Sequence, residues 1–154
     1  MNKEQRDVEE FHLSMNHGVE SIPTVPSQEV IYLRARLVTE EFGEFIAALA
    51  GVDDEEKFRL VRFVQGFVRA YFHGRGPVRP NLVDLADAIA DLKYVLEGTN
   101  LSFGIDGEPI WDAVHKANMT KKLGGVDEHG KQKKPPGWKP PDIAGLLREQ
   151  GWKP

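Results

Sequence analysis

Residues 30–50 read VIYLRARLVTEEFGEFIAALA, and the spacing of their apolar side chains decides the fold class. Leu33, Leu37, Phe45 and Leu49 recur at helical intervals, and Ile31, Val38, Phe42 and Ile46 widen the same stripe. Ser27, followed by polar Gln28 and Glu29, is suited to cap the start, and Gly51 to stop the run. The spacing therefore predicts one long helix.

Outward from it, the same period recurs. Val8, Phe11 and Met15 predict a first helix over 4–17, with Gly18 as its stop, and Pro23 and Pro26 keep the next connection extended. Asp53 or Asp54 can cap a third helix carrying Phe58, Val61, Val64, Phe67, Val68 and Tyr71. Residues 73–80 hold two glycines and two prolines and read as an exposed loop bearing Arg75 and Arg79. Leu82, Leu85, Ala86, Ile89, Leu92, Val95 and Leu96 predict a fourth helix, with Gly98 a mild interruption before Leu101 and Phe103. Asp106 caps and Pro109 opens a fifth helix through Ala117. Beyond Gly124 a Lys-, Gly- and Pro-rich arm runs to Pro141, before a short helix at 142–148. Strand-type alternation is absent, so the expected class is all-α: a bundle of four to five helices over 1–123, with 124–154 an arm of the same domain.

Composition narrows the chemistry. A chain of 154 residues suits one core. A net charge of −4 and a pI near 5.7 argue against a protein that grips nucleic acid or an anionic membrane. There is no cysteine, which removes disulfides, thiolate metal sites and a Cys nucleophile. A metal would be held by Asp, Glu or His. The start lacks a basic-then-apolar pattern, and no apolar run reaches the length of a membrane span, so a cytoplasmic location is expected.

Two acidic clusters stand at helical spacing on separate helices: Glu40, Glu41 and Glu44 on the second, Asp84, Asp87 and Asp91 on the fourth. Leu37, Phe42 and Phe45 around one set, and Leu85, Ala88 and Leu92 around the other, predict that both faces lie near the interior. Four carboxylates about 5 Å apart would repel pair by pair at roughly 3 kcal/mol each for an effective dielectric near 20. Partial protonation or hard divalent cations with all-oxygen ligation, Mg²⁺ or Mn²⁺, would relieve that repulsion. A solvated acidic surface is the plain alternative.

The string Glu40-Glu41-Phe42-Gly43-Glu44, with Asp87-Ala88-Ile89-Ala90-Asp91 running into Leu92-Lys93-Tyr94-Val95, resembles the MazG-like all-α nucleoside triphosphate pyrophosphohydrolases. Glu10-Phe11-His12, Gly98-Thr99, Gly104-Ile105-Asp106, the run from Val114 to Lys121 and the arm from Lys134 to Ile143 extend the likeness over nearly the whole chain. Within the superfamily it is most similar to dimeric dUTPases and phosphoribosyl-ATP pyrophosphohydrolases. The resemblance implies cleavage between the α and β phosphates of a nucleoside triphosphate, with two to three Mg²⁺ or Mn²⁺ ions. It implies Glu41, Glu44, Asp87 and Asp91 as metal ligands, and Glu40 and Glu41 as catalytic, with Glu40 a ligand or the group that orients water. The family commonly has a glutamate where this chain has Ala88. Either Asp87 substitutes for it, or the register shifts and Asp84 with Asp87 supplies the two acids.

His115, Asn118, Lys121 and Lys122 form a polar stripe on the fifth helix, which is also what a solvated, cation-bearing helix end looks like. The resemblance gives Asn118 and Lys121 to phosphates or sugar, folds the arm over substrate with Lys134 on phosphate and Trp138 as its anchor, and brings His12 and His115 to the substrate. Phe11, as a first-helix aromatic, is equally a core residue. The implied substrate is a deoxynucleotide, dUTP or dGTP/GTP, with phosphoribosyl-ATP an alternative. A homodimer or homotetramer is expected, because each long helix leaves an apolar side uncovered. A non-catalytic nucleotide-binding oligomerisation module is the reading from another class.

Overall fold

A computed structural model describes residues 1–128 and 130–154. Among them are six α-helices: α1 (Lys3–Ser14), α2 (Gln28–Ala50), α3 (Asp54–His73), α4 (Leu82–Phe103), α5 (Gly107–Met119) and α6 (Ile143–Glu149), with a short 3-10 turn at Thr120–Gly124. Strand pairing among the described residues is confined to one antiparallel bridge between Val126 and Gln132. No helix among them is long and apolar enough to cross a membrane. The chain divides into two units, Thr24–Asn81 and a second made of Met1–Pro23 with Leu82–Pro154. The arm thus belongs with α1, α4 and α5.

The unit Thr24–Asn81 is the α2–α3 hairpin. The Ser27 hydroxyl accepts from Val30 N, Gly51 stops α2 with φ +65°, and the Asp53 carboxylate caps α3 by accepting from Glu55 N and Glu56 N, both at 2.9 Å. Thr39, Gly43 and Ala47 form a row of small buried residues one turn apart along α2. The row lets α3 come close: a Cβ on Gly43 would lie 3.1 Å from both Cα and Cγ2 of Val61. Near the far end of α3, the Gln28 amide holds the 74–81 loop by donating to Val78 O at 2.9 Å and accepting from Val78 N at 2.8 Å. Arg75, read from sequence as a solvent-exposed loop residue, stacks its guanidinium 4.1 Å from the Tyr71 ring centroid.

In the other unit α1 is held to α5 by polar contacts. Trp111 Nε1–H donates to Asp7 Oδ2 at 2.8 Å, and Lys3 bridges Asp7, at 3.2 Å, and Asp112. Lys93 of α4 donates to Glu4 of α1 at 2.5 Å. Gln150 and Asp106 exchange two hydrogen bonds, 2.9 and 3.0 Å, tying the end of α6 to the start of α5.

Two helix ends differ from the periodic reading. α1 stops at Ser14 rather than His17, because Asn16 takes a left-handed conformation, φ 56°, that asparagine tolerates better than most residues. α4 runs straight through Gly98 to Phe103. A helical glycine costs only about 1 kcal/mol relative to alanine, too little to break a helix of this length. Gly104, with φ +66°, makes the actual stop.

Candidate active site

Helix α2 carries Glu40 half-buried and Glu41 and Glu44 exposed. Their placement follows from the buried row: with Gly43 turned onto α3, Glu40, Glu44 and Glu41 fall roughly 60°, 100° and 160° round the helix from it, all on one side. Lys57 of α3 reaches Glu44 Oε2 at 3.4 Å. On α4, Asp84, Asp87 and Asp91 are all exposed, as is Ala88. The acidic faces predicted to turn inward are therefore largely open in the single chain. The apolar residues beside them do not force burial, since Phe42, Leu85 and Leu92 are themselves 48%, 46% and 42% exposed. Among the described residues no three His, Asp or Glu side chains gather round a common point. The donors suit Mg²⁺ or Mn²⁺ in kind, being carboxylate oxygens with no thiolate in the chain.

The polar stripe expected on α5 is split by the structure. His115 turns toward α1, its Nε2 3.6 Å from Glu10 Oε2. Asn118 and Lys121 are half-buried and Lys122 is exposed. On α1, His12 belongs to a ring cluster with Phe11 and His17, centroids 5.6 to 6.3 Å apart. The arm returns to the end of α5: Trp138 Nε1–H donates to Ala117 O at 3.1 Å, and the Lys121 and Lys134 ammonium groups lie 5.4 and 4.5 Å from the Trp138 ring centroid. Beside it a cavity of about 670 Å³ is lined by Lys116, Thr120, Pro135, Trp138 and Leu146.

Electrostatics single out Asp7 of α1, to which the sequence pattern assigned no role. The hydrogen bond from Trp111 and the nearby Lys3 ammonium hold its carboxyl below the usual aspartate range. Lys3 is correspondingly pushed up, first by Asp112. An aromatic of α5 and an acid of α1 separated by 104 positions leave no local signal of their pairing.

These features define an all-helical protein with two carboxylate-bearing helices and a lysine-rich arm. Residues 8–118 match the phosphoribosyl-ATP pyrophosphohydrolase family, and the chain belongs to that family, within the MazG-like superfamily of pyrophosphohydrolases. In fold it is similar to the crystal structure of a candidate NTP pyrophosphohydrolase from Exiguobacterium sp. 255-15, at 24% identity and a TM-score of 0.67, with 97% of each chain covered. No curated protein matches the sequence.

Proposed function

We propose that the protein is a metal-dependent nucleoside triphosphate pyrophosphohydrolase that converts a (d)NTP and water to (d)NMP and pyrophosphate. The observation that carries this reading is the extent of the family match. Residues 8–118 take in Glu40, Glu41 and Glu44, the acids of α4, and the helix bearing His115 and Asn118. Glu41, Glu44, Asp87 and Asp91 would hold two to three Mg²⁺ or Mn²⁺ ions, which when bound neutralise phosphate oxygens and acidify water. Glu40, with Glu41, orients the attacking water and receives its proton. The water oxygen bonds to the α phosphorus, the bond from that phosphorus to the α–β bridging oxygen breaks, and pyrophosphate leaves. Asn118, Lys121 and Lys134 hold phosphates or sugar, Trp138 anchors the arm, and His12 and His115 lie toward the substrate. The protein's share is positioning and charge stabilisation.

A deoxynucleotide, dUTP or dGTP/GTP, is the proposed substrate. The family's name favours a second reading, phosphoribosyl-ATP, broken at the same kind of bond. A homodimer or homotetramer accompanies either reading, since Leu85, Ile89, Leu92 and Val95 of α4 are 42% to 59% exposed in one chain. A cytoplasmic nucleotide-pool role is proposed with them. The deciding experiment incubates the protein with each common ribo- and deoxyribonucleoside triphosphate and with phosphoribosyl-ATP, with Mg²⁺ or Mn²⁺, and separates products. Monophosphate and pyrophosphate from one base name the substrate; pyrophosphate from phosphoribosyl-ATP alone selects the second reading. Diphosphate and phosphate, or no product, overturn both.

A further inference from the structure

Helix α3 carries aromatic rings on two sides. One side belongs to the hairpin: Val61 lies against Gly43, and the Phe72 ring meets Tyr32 of α2 with centroids 6.2 Å apart. The other side is uncovered, with Phe63, Phe67 and Tyr71 at 74%, 67% and 50% exposure. These three recur every fourth residue, at roughly 180°, 140° and 100° round the helix from Phe72, and so form one continuous ridge on the face away from α2. The Arg75 guanidinium, stacked on Tyr71, closes the end of the ridge. Aromatic side chains carry about 150–250 Å² each, so at these exposures the three rings leave roughly 400 Å² in water. A contiguous apolar patch of that size marks a contact surface, whereas singly scattered apolar residues do not.

The ridge selects a second copy of itself as its occupant. Laid antiparallel over another α3 with Phe67 on the two-fold axis, Phe67 meets Phe67 and Phe63 meets Tyr71, so every ring finds a ring. The charges agree with that direction. α3 opens on Asp54, Glu55 and Glu56, and its far end leads into Arg75 and Arg79, so antiparallel packing sets acids beside arginines at both rims while a parallel pair would set acid on acid. The area agrees too. The rings alone supply about half of the roughly 800 Å² that each partner buries in a standard interface, and Glu56, Arg59 and Ala70 flank them on the same face. We infer that the outer face of α3 is an isologous interface, at which α3 packs antiparallel on the α3 of a second copy. This contact is separate from the α4 face cited for the oligomer above, and it does not depend on the catalytic reading.

The test measures the mass of the full chain by light scattering after size exclusion. Phe67→Glu puts a carboxylate on the axis in both copies, so the dissociation constant should rise at least about a hundredfold and the assembled mass should halve. Far-UV circular dichroism should stay unchanged, because the residue is turned away from α2. The chain has no cysteine, so introduced cysteines and a short bismaleimide report the register. Phe67→Cys should link to itself. Phe63→Cys should link to Tyr71→Cys in a mixture and neither to itself, since antiparallel packing separates each from its own copy by about 12 Å along the helix. A monomeric wild type, an undiminished mass in folded Phe67→Glu, self-linking of Phe63→Cys and of Tyr71→Cys, or linking of Phe67→Cys only to Ile89→Cys of α4 would each overturn the inference. Should Phe67→Glu fail to fold, the cysteine pattern decides by itself. A chain that assembles through α3 yet releases no pyrophosphate refutes the catalytic reading alone, and turnover by a chain without this contact refutes the interface alone.

Discussion

Alanine at position 43 is predicted to weaken the α2–α3 hairpin, against the usual direction of a glycine-to-alanine change in a helix. Helix propensity favours alanine by about 1 kcal/mol. The added methyl, however, would sit 3.1 Å from Val61 Cα and 3.1 Å from Val61 Cγ2, well inside the 3.5–4.0 Å at which carbon pairs attract. The side chain could rotate away, but the α-carbon belongs to the backbone of α3, so the helix itself must move. Overpacking of this kind costs roughly 1–3 kcal/mol, which leaves a net loss of about 1 kcal/mol. Gly66 on α3 is the internal control, since a Cβ there meets nothing within 4 Å. Gly66→Ala should therefore stabilise by up to about 1 kcal/mol, and the two variants should differ by about 2 kcal/mol. Urea denaturation of wild type and both variants, with a matched slope, measures this directly. Combining Gly43→Ala with Val61→Ala should recover part of the loss only, because the clash with the α3 backbone persists. Equal gains at 43 and 66 would refute the claim that the small-residue row sets the helix separation.

Glu44→Gln and Asp91→Asn should each lower pyrophosphate release at least about a hundredfold with far-UV circular dichroism unchanged, and near wild-type rates in either would sink the metal site. Chelator should abolish turnover, with recovery on adding back Mg²⁺ or Mn²⁺; chelator-resistant activity would remove the cation from the proposal. Gly124→Ala should open the 125–133 turn, seen as faster proteolytic cleavage there, and an unchanged cleavage pattern would contradict the close approach of Lys133. Asp7 carries its stabilising effect as a carboxylate whose pKa is lowered on folding, so that effect is present above the ordinary aspartate range and fades as pH falls through the lower folded value. Trp111→Phe should accordingly be less stable than wild type at pH 7, with the gap closing in acid; a gap that widens in acid would reverse the assignment.

The helices were legible because their signals are local. The stripe from Leu33 to Leu49, Ser27 before it and Gly51 after it fix α2 to within two residues of the periodic reading. Asp53 and Asp106 act as the caps their positions suggest. What escaped depends on partners distant in sequence or on backbone conformation. Asn16 ends α1 through a left-handed turn that periodicity does not register. Gly43 reads as one letter of an acidic motif, while its structural reason is Val61 on another helix. The inward orientation expected of the acidic faces rested on their apolar neighbours, of which Leu37 and Phe45 are half-buried in one chain while Phe42, Leu85, Ala88 and Leu92 are exposed. Trp138, which the resemblance implies as the anchor of the arm, donates to the Ala117 carbonyl, and the pairing of His115 with Glu10 left no local signal.

The unit assembled from Met1–Pro23 and Leu82–Pro154 also sets a timetable during synthesis. α1 leaves the ribosome first, yet its partner Trp111 follows 104 positions after Asp7. At about 5–20 residues per second, α1 waits roughly 5–20 s for α5. The α2–α3 hairpin is complete well before then and needs nothing downstream of Asn81 to close its own contacts. Nascent chains halted once Asn81 has cleared the ribosomal exit tunnel should therefore already protect Gly43 and Ala47 from hydrogen exchange while α1 remains unprotected.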